Sequence, residues 1–252
     1  DYTALNRSVV ALGLTPQQLE CVHRKGRSQW SEDLTLLPYL HRLTGGAPGT
    51  FVEIGALDGV KLSNTFMYEH CFGWSGLLIE ANPTNAKQLM GHQSLRPNSH
   101  LEFSSVCEGH GTMKMTVGGE RIAGDPDFLE DDNVDSLAST YGMNVNRTVD
   151  VPCTSMTNLM NNAGMSAATF LSLDVEGAEE MVLNATNISA FDLIMVETGG
   201  ETGIDRSDAR RLRIVRLLTD AGFRAPTSGL LQGTNNTICI SEVYVRNDHA
   251  GL

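Results

Sequence analysis

Basic residues are scarce in this chain of 252 residues: 18 Lys and Arg stand against 30 Asp and Glu, for a formal charge of −12 and a pI near 4.9. So acidic a surface repels phosphate backbones and anionic headgroups, which argues against a broad nucleic-acid footprint and against docking on anionic lipid. Long apolar runs are missing too. None approaches the ~18 residues that a membrane span needs, and no signal-peptide pattern opens the chain. It begins at Asp1 rather than methionine, as removal of an upstream targeting or anchor segment would leave it. No CxxC pair occurs among Cys21, Cys71, Cys107, Cys153 and Cys239, which argues against a zinc knuckle. Scattered cysteines in a chain this long make no dense disulfide framework, but leave room for one or two isolated bridges and at least one free thiol.

What is present is enough for a folded enzyme-sized domain. The hydrophobic fraction of 41% supplies a sizeable core, and the length suits one large domain or one domain with an added cap. Asn-x-Ser/Thr sequons stand at Asn6, Asn146, Asn184, Asn187 and Asn235. They favour the secretory lumen (Golgi or ER) over the cytoplasm.

The first 45 residues read as a helical extension. Thr15-Pro16 is an N-cap with proline at the first helical position, and Gly26 ends that helix. A second helix starts at Ser31, with Glu32 and Asp33 at its positive end; Pro38 kinks or divides it. Residues 46–252 form the main domain, in which strand and helix patterns alternate. Strands are expected at 50–54, 76–80, 101–106, 112–117, 168–173 and 192–196, the fourth pairing with the third. Helices fall near 84–92, 154–163, 177–184 and around Ile214–Ala221, and residues 237–240 and 242–246 read as final strands. Near-continuous apolar strands separated by helices describe a parallel sheet covered on both faces. The expectation is an α/β doubly wound, mostly parallel sheet, with an antiparallel C-terminal edge and a helical N-terminal extension.

In such a sheet, ligands bind beyond the carboxyl ends of the strands. The residues there are Glu53 to Gly59, then Glu80, Ser104 to Val106, Asp174 to Gly177, and Glu197 to Gly200. Carboxylates recur at these ends. For any one of them the bland alternative is a helix cap or a surface charge, but convergence on one rim is harder to explain that way. Gly55 and Gly59 allow close backbone approach. This is no dinucleotide G-x-G-x-x-G, because Leu57 and Asp58 occupy places that a pyrophosphate would crowd. Glu80 stands where an acidic residue accepts from both ribose hydroxyls. A nucleoside with a cationic attachment and no phosphate fits, which describes S-adenosylmethionine; on the residues alone, NAD and unknown ligands stay open.

The stretch FVEIGALDGVKLSNTFMYEHCFGWSGLLIEANP (51–83) resembles the opening of the FkbM-type methyltransferase domain, and FLSLDVEGAEEMVL (170–183) resembles that family's second hallmark. Residues 149–160, 192–197 and 217–223 are similar to its further elements, and SQWSED (28–33) to the segment that leads into it. An insert around 118–147 is not covered. The resemblance implies a Rossmann-like class I methyltransferase that uses S-adenosylmethionine, characteristically on hydroxyls of sugars or polyketide-type products. By matching position, Glu53, Gly55, Ala56, Asp58 and Gly59 line the methionine side of the cofactor, Glu80 holds the ribose, and Ser105 and Val106 flank the adenine. Asn64 touches the cofactor or caps a helix, the cap being favoured.

An alcohol is a poor nucleophile at neutral pH, so a base or a metal must assist. Asp174 is the first candidate base, with Glu176 and Glu197 beside it, and Asp174 also borders the cofactor. A divalent cation, if used, would sit between Asp174 and Glu197. The bland alternative is that Glu176 caps the helix after Gly177 and only orders Asp174. His110, read as a turn residue, is a reserve base. Met143, Met156, Met160 and Met165 pack the core, and the acidic run 124–137 faces water. Arg210, Arg211, Arg213 and Arg216 form a basic helix face that pairs with acidic surface. The expected activity is O-methylation of a sugar or glycan hydroxyl, with a small-molecule or glycan acceptor. The alternatives are methylation of a small natural product or carboxylate, and a catalytically silent domain for interaction or trafficking.

Overall fold

The computed structural model describes residues 12–117, 123–124, 148–199, 204–205, 207–225 and 237–249. The chain opens with α1 (Pro16–Lys25), where Thr15 and Gln18 complete a reciprocal capping box and Gly26 closes the helix. Next comes α2 (Glu32–Leu43), which Pro38 does not divide. Leu36, Leu37, Tyr39 and Leu40 are fully buried around it, and that packing outweighs the roughly 3 kcal/mol that an interior proline costs. Then follow β1 (Thr50–Ile54), α3 (Phe66–Phe72), β2 (Ser75–Glu80), α4 (Pro83–Gly91), β3 (Ser99–Phe103), β4 (Ser105–Val106), β5 (His110–Val117) and β6 (Ala123–Gly124). The remainder is β7 (Thr148–Thr154), α5 (Met156–Asn162), β8 (Ala168–Leu173), α6 (Glu179–Asn184), β9 (Phe191–Glu197), α7 (Ala209–Asp220), β10 (Phe223–Arg224), β11 (Thr237–Ile238) and β12 (Ser241–Arg246).

The main sheet runs β10-β12-β9-β8-β1-β2-β3, with β11 paired to β12. Strands β3, β2, β1, β8 and β9 are mutually parallel, while β12 runs antiparallel to β9 and carries the short β10 outside it. The chain builds outward from β1 through β2 to β3, then returns to β8 on the other side of β1. The order therefore reverses between β1 and β8, and the crevice opens at that switch point.

Both faces are covered, as double winding requires. Alternate strand residues send Phe51, Phe170, Leu193 and Val243 into one cluster with Leu36, Tyr39, Met67 and Tyr68, so the N-terminal helices share the core. Val52, Leu171, Ile194 and Tyr244 enter the other with Met156, Leu159, Val182 and Ile214. Each such aliphatic or aromatic side chain contributes ~1.5–3 kcal/mol on burial.

Residues 101–106 do not form one strand. The chain breaks at Ser104, whose N–H still donates to the Glu80 carbonyl, and whose hydroxyl donates to the carbonyls of Ser105 and Pro152. Beyond that bend β4 leaves for a second sheet, β4-β7-β5-β6, and β5 pairs antiparallel with β7 rather than with β3. Cys107–Cys153 pins this bend to β7, and Cys21–Cys71 ties α1 to α3. Their sequence separations are 46 and 50, so each bridge constrains a long loop of the unfolded chain and adds on the order of 2–4 kcal/mol. Cys239 is free and exposed.

Candidate active site

The crevice is built by the loop that follows β1. Gly55 is exposed at φ +80°, and an added Cβ would stand 1.8 Å from the Asp174 carbonyl oxygen. Only glycine lets the tips of β1 and β8 meet here. The N–H groups of Gly55 and Ala56 both donate to the Ile79 carbonyl. Ala56 is buried. Leu57 takes φ +55° and donates its N–H to Glu80 Oε2 at 2.8 Å. Asp58 Oδ1 accepts from the N–H groups of Val60 and Lys61 at 2.9 and 2.7 Å, closing the turn, and His92 Nδ1 lies 2.8 Å from the Asp58 carbonyl. Gly59, at φ +77°, is buried behind the loop against Leu89, with its carbonyl facing Arg96.

Glu53 is buried and holds the second half of the loop. It accepts from the Ser63 hydroxyl at 2.8 Å, from the Thr65 hydroxyl, and from the Asn64 N–H at 2.8 Å. Asn64 caps nothing, contrary to the favoured expectation. Its side-chain amide reaches across to Ser172 on β8 at 3.0 Å, because Ser172 lies in register with Glu53. Asn64 Oδ1 is buried without a hydrogen-bond partner among the described residues. Such an orphan acceptor beside carboxylates suits a ligand that brings N–H or ammonium donors.

Glu80 ends β2. Besides Leu57, it accepts the Asn82 N–H at 2.7 Å, yet burial raises its carboxyl to about 7 against the lowering effect of these N–H donors. Ser105 and Val106 are buried where β3 gives way to β4, the Ser105 hydroxyl pointing at the Met113 sulfur, 3.2 Å away.

Asp174 and Glu197 are brought together at the tips of β8 and β9, where their side chains hydrogen-bond to each other. Burial raises both carboxyls, Glu197 the further of the two, because the Asp174 charge adds to the penalty on ionising it. Two carboxyls this close do not readily ionise together, so Glu197 holds its proton to higher pH and Asp174 is the first to ionise. Glu176 stands at φ +52°, an unusual place for a side-chain-bearing residue and one typical of functional loops. Desolvation raises its carboxyl to about 8 and the Asp174 and Glu179 charges add to the rise, while the residue as a whole is exposed, so solvent screens part of this.

The helix that follows is ordered by Glu179, not Glu176. Glu179 Oε1 accepts the N–H groups of Val175 and Gly177 at 3.2 and 3.1 Å, while Oε2 pairs with Arg210 at 3.0 Å. The helix begins two residues later than its glycine suggests, which puts Glu179 rather than Glu176 within reach of those donors. Glu32 is the other contributor that sequence reading misses: buried at the start of α2, it is among the charges that raise Asp174. Ser28 forms a bridge with Leu62, so the N-terminal segment borders the cofactor loop. Neither contact has a local sequence signal.

The other candidates sit elsewhere. His110 is the first residue of β5 rather than a turn residue, with its ring between Thr154 and Asn158 at 2.8 and 2.9 Å. Arg210, Arg211 and Arg213 pair with Glu179, Glu242 and Glu180. Met156 and Met160 are buried and Met165 packs against them, while Met143 and nearly all of the acidic run lie outside the described residues. Among the described residues no group of three or more His, Cys, Asp or Glu could hold a metal. Asp174 and Glu197 stand as a pair with no third such ligand grouped with them among the described residues, so the residues present do not make a metal site.

The raised carboxyls carry a stability prediction. Glu80, Asp174 and Glu197 keep their protons to higher pH folded than unfolded, so between about pH 4 and 7 the native chain binds more protons than the unfolded one. The slope of unfolding free energy with pH follows unfolded minus native protons and is therefore negative here. Calorimetry should show melting temperature falling from pH 5 to pH 7.5, with a shallower fall in Glu197→Gln. A flat or rising curve in the parent protein would mean that these carboxyls are not desolvated together.

A family model for the methyltransferase FkbM domain matches residues 53–225. A search of curated proteins finds no match. Among solved structures, an FkbM methyltransferase from Methylobacillus flagellatus is similar at 11% identity and a TM-score of 0.47, covering 91% of this chain and 58% of its own. A precorrin-6y C5,15-methyltransferase from Geobacter metallireducens is 11% identical, with 86% of each chain covered and a TM-score of 0.42. An O-methyltransferase described as putative, from Klebsiella pneumoniae, is 16% identical, with 96% and 90% covered and a TM-score of 0.40.

Proposed function

Because the chain belongs to the FkbM methyltransferase family and is an S-adenosylmethionine-dependent enzyme, we propose that it methylates a hydroxyl of a sugar or glycan, with Asp174 as the base. The cofactor supplies an electrophilic methyl group on a sulfonium. Its fit rests on Gly55, whose exposed backbone stands at the switch point, on the orphaned Asn64 Oδ1, and on Glu80, whose oxygens can take ribose hydroxyls. Asp174 accepts the acceptor's hydroxyl proton, and the proton held by Glu197 keeps Asp174 oriented. The observation that carries this reading is the hydrogen-bonded Asp174–Glu197 pair beside Gly55. A base on this rim, poised near neutrality, suits an alcohol.

The rim's charge also bears on the acceptor. Asp174, the rim carboxyl that ionises below neutrality, repels an acceptor's carboxylate or phosphate, whereas a neutral polyol can donate a hydroxyl to it. We read the N-terminal extension and the 118–147 insert as the source of acceptor specificity. Two disulfides, together with exposed sequon residues Asn184 and Asn187, support residence in the secretory lumen.

The test is incubation with labelled methyl donor and a panel of free glycans, phenols and carboxylic acids, read by mass spectrometry. Methyl ethers on glycans are expected, and the same instrument should find hexose-bearing mass at Asn184 or Asn187 in enzyme from a secreting host. Methyl groups only on phenols or acids would overturn the glycan reading. Donor binding with no transfer to any acceptor would favour an interaction domain.

A further inference from the structure

Arg96 follows α4 and is fully buried, outside the rim that faces ligand. Its Nε donates to Glu69 Oε2 at 2.6 Å, while Glu69 also accepts the Ser99 hydroxyl at 2.6 Å and the Asn98 N–H at 2.8 Å. Nη1 donates to the Gly59 carbonyl at 2.6 Å and to Ser63 Oγ at 3.0 Å, and Nη2 donates to Thr65 Oγ1 at 2.8 Å. The guanidinium lies 5.5 and 5.6 Å from the ring centres of Phe51 and Phe66.

The direction of these bonds matters. The Ser63 and Thr65 hydroxyls each have one proton, and each gives it to Glu53. They can accept from Arg96 only through their lone pairs, so the order is guanidinium to hydroxyl to carboxylate. One planar group thus holds the loop's middle at Gly59 and its end at Ser63 and Thr65, and through those hydroxyls sets where Glu53 points. Lysine, with three donors on one atom, cannot span Glu69, Gly59 and Thr65 at once.

We propose that Arg96, held by Glu69, is a positioning residue that preorganises the 55–65 loop for S-adenosylmethionine. This rests on the reading of that loop as the cofactor cradle. Arg96→Lys should weaken S-adenosylmethionine affinity about 10–100-fold by calorimetric titration, with KM for the donor rising in step. At saturating donor, kcat should stay within a few-fold of the parent. Arg211→Lys is the control, since it breaks a buried pair with Glu242 (2.7 Å) at the other end of the sheet. It should lower the melting temperature and leave donor affinity within two-fold.

If Arg96→Lys does not fold, Thr65→Val removes one hydroxyl at nearly constant volume and should raise the dissociation constant in the same direction. Parent-like donor affinity in folded Arg96→Lys or folded Thr65→Val overturns the proposal. So does an equal loss of affinity in Arg211→Lys, which would mark the effect as general loosening. Failure of the parent protein to bind the donor instead sinks the reading of the loop as its cradle.

Discussion

Replacing Asp174 with asparagine should cost roughly 10²–10⁴ in turnover while donor affinity stays near that of the parent, because asparagine keeps the size and polarity of the side chain but cannot take a proton. The half-buried carboxyl is raised to about 6, chiefly by desolvation, and titrates together with Glu197. A base works only when ionised, so kcat of the parent should climb with pH through that region and level off near neutrality. The Asn variant's residual rate should lack this limb. Glu197→Gln should be milder, since the amide still donates to Asp174 in place of the carboxylic acid. Rate measurements across pH, with titration of the donor, check each of these outcomes. An Asp174→Asn enzyme with parent-like turnover would remove Asp174 from the chemistry, and the base would be sought at Glu176 or Glu197.

The second large effect belongs to Gly55. Alanine there meets two penalties at once. Its Cβ would stand 1.8 Å from the Asp174 carbonyl oxygen, a backbone atom that cannot rotate away, and φ +80° is itself strained for any residue with a side chain. The strain costs about 1–2 kcal/mol and the overlap about 1–3 kcal/mol more. The tips of β1 and β8 must separate to relieve it, which moves Asp174 from Glu197. Gly55→Ala should therefore melt markedly lower and bind S-adenosylmethionine at least ten-fold more weakly. Gly91→Ala is the matched control, since nothing lies within 4 Å of its added Cβ and its φ is ordinary. A Gly55→Ala protein with the parent's melting temperature and donor affinity would show that the two strand ends are not in contact.

Much of the architecture is legible in the amino acids because it depends on local rules. The runs at 50–54, 168–173 and 192–196 announce buried parallel strands by being apolar without alternation, and they form β1, β8 and β9 with nearly the expected bounds. Thr15-Pro16 and Gly26 mark α1 by the chemistry of helix ends. The places where reading along the chain fails are those governed by partners far away in sequence. Residues 101–106 are apolar enough for one strand, but Ser104 donates to both Glu80 and Pro152, and that divided allegiance sends β4 to another sheet. The pairing of β5 with β7 spans the whole insert, so no local pattern could announce it.

The same division holds at the site. That Glu53, Glu80, Asp174 and Glu197 end strands on one rim follows from their positions after apolar runs, whereas the choice of a cationic, phosphate-free nucleoside over NAD rests on the resemblance to the family. Which of these carboxylates faces a ligand, which holds a loop and which keeps its proton depends on distances between strands that the chain order does not encode. Glu53 is bound into the 63–65 turn, Glu179 rather than Glu176 orders the helix after Gly177, and Asp174 meets Glu197 only because β8 and β9 lie side by side. Arg96 shows this most plainly. Nothing around it in the chain marks it, yet burial drives its donors to find acceptors, and three of those, Gly59, Ser63 and Thr65, belong to the loop. Periodicity and end signals are written residue by residue, whereas burial and the pairing of charges exist only once the chain has closed upon itself.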